Sequence, residues 1–75
     1  MTPQIGDAVL VRYQGRKPKL HGLVVQGATA PVLTAAGTLG VETDEDGHVY
    51  GIVVESDGGA TFVPRSTILS VEVLS

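Results

Sequence analysis

The sequence predicts an all-β domain, a small barrel of five to six short antiparallel strands with one tight helical turn before the last strand. Three observations carry this expectation. The run from His48 to Val63 reads as two apolar strands flanking a turn, Ser56-Asp57-Gly58-Gly59. Short apolar runs recur along the chain at close spacing, separated by Gly and Pro. No stretch sustains a helical period. Seventy-five residues make a single domain, 1–75.

Taken in order, Ile5-Gly6-Asp7 opens the first strand. Ala8 to Tyr13 alternates, with Val9, Val11 and Tyr13 on one face and Ala8, Leu10 and Arg12 on the other. Gln14 to Lys19 is polar, carries a Gly and a Pro, and reads as a loop. Leu20 to Gln26 reads as a second strand, broken by Gly27-Ala28-Thr29-Ala30-Pro31. Val32 to Val41 reads as two short strand pieces around Gly37, because Ala35-Ala36-Gly37 is small and weakly patterned. Thr43 to Gly47 is a turn, with Gly47 available for positive φ.

The central hairpin follows. Val49, Ile52, Val53 and Val54 are β-branched, which suits a pleated sheet and disfavours a helix. Tyr50, Ile52 and Val54 are expected on one face; Val49, Gly51 and Val53 on the other. Ala60 to Val63 returns antiparallel, and Pro64 ends that strand by removing a ladder donor. Pro64 to Thr67 reads as one tight helical turn. Ile68 to Leu74 is the last strand, with Leu69, Val71 and Val73 facing one way.

Composition narrows the function. There is no cysteine, hence no disulfide, thiolate ligand or thiol nucleophile. Three aromatics and no Trp leave a thin core of Val, Leu and Ile, while 43% of the residues are hydrophobic and 17% charged. That imbalance favours oligomerisation, which buries further apolar surface. No apolar run is long enough to cross a bilayer, and no basic segment followed by an apolar one marks a signal peptide. The expected location is the cytoplasm, or a particle assembled there. The formal net charge of −3 counts against binding nucleic acid mainly through phosphates.

Two stretches resemble SH3-like barrels. Gly6-Asp7-Ala8-Val9, a polar loop and then Gly22-Leu23-Val24-Val25 look like the opening of KOW and Tudor-type modules. Phe62-Val63-Pro64-Arg65-Ser66-Thr67-Ile68 looks like the SH3 closing element: an apolar strand, a Pro, a tight turn and an apolar residue entering the last strand. The resemblance implies an SH3-like fold. It does not extend to a polyproline groove or a methyl-lysine cage, which need more aromatics than Tyr13, Tyr50 and Phe62. The outline is also similar to the type II dihydrofolate reductases, tetrameric enzymes built around a central pore. That family's pore motif, Val-Gln-Ile-Tyr, is replaced here by Ala60-Thr61-Phe62-Val63. Its pore lysine aligns with Val11, one place before Arg12. The similarity therefore implies fold and assembly rather than activity.

Catalytic and metal motifs are weak. His21 and His48 are the only histidines, and a metal site without Cys needs carboxylates beside them. Asp44, Glu45 and Asp46 lie near His48, but lack the alternating ligands of an EF-hand loop. A solvated acidic turn is the expected reading. No nucleophile elbow, triad or phosphate-cradling loop is present. No cofactor is implied.

Charge is unevenly placed. Arg12, Arg16, Lys17 and Lys19 are four of the five basic residues, and Glu42, Asp44, Glu45 and Asp46 cluster further on. If Arg16 and Lys17 of one copy meet Asp44, Glu45 and Asp46 of another, electrostatics fix a head-to-tail register. The expected function is a non-enzymatic protein-interaction or structural module in a homo-oligomer or larger assembly. A small chain rich in Ala, Gly, Thr and Val suits an accessory subunit of a phage particle. The alternative is a KOW-like nucleic-acid-binding module using the basic loop 12–19. A catalytic pore of the dihydrofolate reductase type is a third, disfavoured by Thr61, Phe62 and Val63.

Overall fold

One long strand organises the molecule. The computed structural model describes residues 2–74, and in it the chain forms β1 (Ala8–Gln14), β2 (Lys19–Leu20), β3 (Leu23–Val24), β4 (Val32–Thr43), β5 (Val49–Ser56), β6 (Gly59–Pro64) and β7 (Ile68–Val73). A single 3₁₀ turn, Arg65–Thr67, precedes β7. Five strands make one antiparallel sheet in the order β6-β5-β4-β1-β7, and β2 and β3 pair only with each other. The all-β expectation holds, with the tight turn where Pro64 to Thr67 placed it. The sheet does not close by hydrogen bonds: β6 and β7 are its two edges.

The segment expected as two strand pieces is instead one twelve-residue strand, β4. Its halves serve different neighbours. Val32 to Thr38 pairs with β1, and Thr38 to Thr43 pairs with β5. The small residues between are what allow this. At Gly37, just before the hand-over, an added Cβ would collide with the Glu55 carbonyl and lie 3.2 Å from Val54 Cγ1. Absence of a side chain there lets β4 run against β5.

The core lies where the alternating faces of β1, β4, β5 and β6 meet. Val9, Val11, Leu39, Ile52, Val54 and Val63 are buried, with Tyr13, Ala35, Ile68, Val71 and Val73 packed against them. Cross-strand pairs such as Val11 with Val71, Leu39 with Val54 and Ile52 with Val63 build it. The face assigned to Val9, Val11 and Tyr13 is the core face, as the alternation predicts.

Two facing assignments change because the ladders carry irregularities. Thr43 pairs with Val49 and Glu42 with Gly51, which leaves Tyr50 without a partner on β4. Tyr50 is half exposed and does not join Ile52 and Val54. Likewise Tyr13 pairs with Ile68 and Arg12 with Ser70, so Leu69 is the extra residue of a bulge. It turns outward, and Ile68 takes the inward place beside Val71 and Val73.

The expected second strand, Leu20 to Gln26, is also different. It is a tight hairpin, with Lys19 opposite Val24 and Leu20 opposite Leu23. His21 has φ 52° and Gly22 φ 80°, and two central residues at positive φ are what a two-residue hairpin turn demands. Gly22 therefore sits in the turn rather than opening a strand. Gln14 and Lys19, expected in the loop, belong to β1 and β2.

The hairpin leaves the body extended. The radius of gyration is 14.0 Å, against about 11 Å for a compact domain of this length. The solvent-accessible surface is 5558 Å², about 1,200 Å² more than expected for a folded monomer of this mass.

Candidate interaction surface

The finger formed by β2 and β3 arises where Gln14 ends β1. The Gly15 amide donates to the Pro31 carbonyl (2.8 Å) and closes its base. Gly15 is needed for that closure: a Cβ there would stand 2.9 Å from Leu33 Cδ1 and 3.2 Å from Pro31 Cγ. Beyond the base, Leu20, Leu23, Val24 and Val25 are all exposed, Leu23 by 74%. The finger thus displays apolar side chains that the body does not cover.

Beside the base lies an open groove of about 430 Å³, lined by Tyr13, Gln14, Gly15, Arg16, Leu33, Phe62, Pro64 and Thr67. Each wall has a local cause. Tyr13 is the last core-facing residue of β1. Pro64 caps β6, and the Thr67 hydroxyl donates to its carbonyl (2.8 Å), fixing the 3₁₀ turn. The Phe62 ring covers Gly51, where a Cβ would run into the ring edge and stand 2.8 Å from the Val63 carbonyl oxygen. Tyr50 extends this apolar wall, its ring centroid 5.7 Å from that of Phe62 at 53°.

The groove offers little for chemistry. Its polar lining groups are the Tyr13 phenol, the Gln14 amide, the Arg16 guanidinium and the Thr67 hydroxyl, with no carboxylate or imidazole for proton transfer. Among the described residues no polar or charged side chain is buried.

The two charge clusters flank opposite ends of β4. Arg12 lies on β1, and Arg16, Lys17 and Lys19 on the finger that leads into Val32; all four are exposed. Asp44, Glu45 and Asp46 follow Thr43 and are exposed too. Among the described residues no ion pair links one cluster to the other.

The acidic turn is held by its first residue. Asp44 Oδ1 accepts from the amides of Asp46 and His48, both at 2.9 Å, and Gly47 takes φ 84° as its position in the turn requires. His48 Nδ1 lies 3.6 Å from Asp44 Oδ2. Ligand atoms of Asp44, Asp46 and His48 come within 4.8 Å of one another. All three are exposed, and one oxygen of Asp44 already serves two backbone donors. Asp44→Ala, which strips both acceptances, is expected to lower stability by about 1 kcal/mol, and Asp44→Asn by less. Urea unfolding of the two variants checks the order.

Sequence reasoning found the charged residues of this surface but not the apolar ones. Leu20, Leu23 and Val24 fall within the expected second strand, Leu20 to Gln26, and Leu33 and Phe62 at ordinary strand positions. The available signal was His21-Gly22, a turn-forming pair inside an apolar run.

Comparison of the chain with protein-family models, with curated proteins and with solved structures finds no match. No helix among the described residues is long and apolar enough to cross a membrane.

Proposed function

We propose that this chain is a non-enzymatic, SH3-like interaction or structural module that works as a subunit of a homo-oligomer or larger assembly, such as a phage particle. The observation that carries the reading is the balance of apolar surface. Among the described residues, thirteen large hydrophobic residues are exposed while six form the buried core. Four of them, Leu20, Leu23, Val24 and Val25, fall together on the finger, and a contiguous exposed apolar patch marks an interaction site. The excess accessible area of about 1,200 Å² exceeds the roughly 800 Å² that each partner contributes to a standard interface.

The SH3-like assignment draws on two features: a first strand feeding a long excursion before β4, and the turn between Pro64 and Ile68. The non-enzymatic assignment draws on a groove without an acid–base pair and on the loss of the dihydrofolate reductase pore motif at Thr61, Phe62 and Val63.

Light scattering at low and high salt, with and without a short oligonucleotide, tests the reading. The expected result is a defined oligomer whose mass the oligonucleotide leaves unchanged. A monomer that gains mass only with the oligonucleotide, and loses it as salt rises, overturns it and makes Arg12, Arg16, Lys17 and Lys19 a phosphate-binding loop.

A further inference from the structure

The groove beside the base of the finger is apolar along most of its wall and charged at one residue. Tyr13, Leu33, Phe62 and Pro64 supply carbon surface, and Leu33 and Phe62 stay 41% and 45% exposed. Arg16 is the one charged residue of the lining among the described residues, and no acid faces it there.

The backbone that carries Arg16 is fixed. Gly15, the residue before it, donates to the Pro31 carbonyl at 2.8 Å and packs so closely on Leu33 that a side chain would not fit. The guanidinium itself is uncommitted. Among the described residues it joins no ion pair, and neither it nor the Gln14 side-chain amide makes a hydrogen bond. The groove therefore holds apolar walls and spare donors together.

These features select a ligand. A space of about 430 Å³ has the size of a small-molecule site. Arg16 repels a cation. A wholly apolar ligand would take water from Arg16 and return no hydrogen bond. A phosphate dianion carries more charge than one guanidinium balances, on a chain whose net charge is already −3. A carboxylate matches the single positive charge, and its two oxygens fit the guanidinium fork. The Gln14 amide offers a further donor. A flat apolar body suits the Tyr13 and Phe62 rings.

We propose that the groove binds a small organic carboxylate with a flat apolar body, the carboxylate on Arg16 and the body against Leu33 and Phe62. The groove belongs to a single copy, so this binding goes beyond the assembly reading above and does not depend on it.

Nuclear magnetic resonance titration of the amide signals tests it with three probes of one shape: 2-naphthoate, the neutral 2-naphthamide and the cationic 2-naphthylmethylamine. Naphthoate is expected to shift the amides of Gly15, Arg16, Leu33 and Phe62, and to bind about fivefold more tightly than naphthamide at low salt, with the amine weakest. Arg16→Gln abolishes that preference and leaves naphthamide binding unchanged; Arg16 is exposed, so the fold is retained. Phe62→Ala weakens naphthoate and naphthamide alike, and circular dichroism verifies that it is folded. Adenosine 5′-monophosphate, a dianion with a flat base, is expected to bind less tightly than naphthoate. Tighter binding of that nucleotide overturns the carboxylate assignment. Equal affinity for naphthoate and naphthamide, shifts confined to Leu20, Leu23 and Val24 of the finger, or no shift at millimolar naphthoate overturns the site. None of these results alters solution mass as the measure of assembly.

Discussion

Gly37→Ala is expected to remove a large share of the folding free energy of this domain. The cause is space rather than backbone conformation. The added Cβ meets the Glu55 carbonyl, a backbone group that cannot rotate aside, and Val54 Cγ1 at 3.2 Å. Val54 is itself a core residue, so relief in that direction disturbs the core. The alternative is to part β4 from β5, at the residue next to the Thr38–Glu55 pair where β4 changes partners. Overpacking of this kind costs about 3 kcal/mol or more, against a total of about 4–11 kcal/mol for a domain of 75 residues. Urea unfolding with an unchanged m value reads the loss directly. A midpoint matching the wild type would mean that β4 does not pass against β5 at Gly37.

Gly51→Ala is the second large effect, and its cause divides in two. Part of the clash is with the Phe62 ring edge, and part with the Val63 carbonyl oxygen at 2.8 Å. Phe62 is 45% exposed and free to swing outward; the carbonyl is held in the β5–β6 ladder, where Ile52 pairs with Val63. The single substitution is expected to cost about 2–3 kcal/mol. Phe62→Ala alone costs about 1 kcal/mol, since its ring is only partly buried but packs on Tyr50. The double variant is expected to be less destabilised than the sum, by about 1 kcal/mol, because removing the ring gives the new methyl room. Strict additivity would show that the ring does not cover Gly51.

The parts of the fold legible in the sequence are those where pattern and turn chemistry agree. Val9, Val11 and Tyr13 alternate on β1 without interruption, and Asp57-Gly58 joins two β-branched runs; both came out as the pattern requires. The Pro64 to Thr67 turn was legible because Pro64 ends one ladder and Ile68 begins another. Legibility failed where one residue changes the register. Nothing in Val49-Tyr50-Gly51 or Ile68-Leu69-Ser70 marks which residue the ladder will skip, since a bulge depends on the partner strand. It failed again at Ala35-Ala36-Gly37, where small residues signal close approach of another strand rather than an interruption. Of the candidate site, the charges were legible because exposed Lys, Arg, Asp and Glu need no tertiary knowledge. The groove was not, because Tyr13, Leu33 and Phe62 come from three strands that only the fold brings together.

The claim at the centre of this account is that self-assembly covers apolar surface a single copy cannot bury. The thermal unfolding midpoint as a function of protein concentration tests it most directly, because association that favours the folded state raises stability by mass action. The account predicts a midpoint that climbs steadily over a hundredfold rise in concentration. A midpoint that stays constant across that range would mean that the six-residue core sustains the monomer alone, and would contradict it.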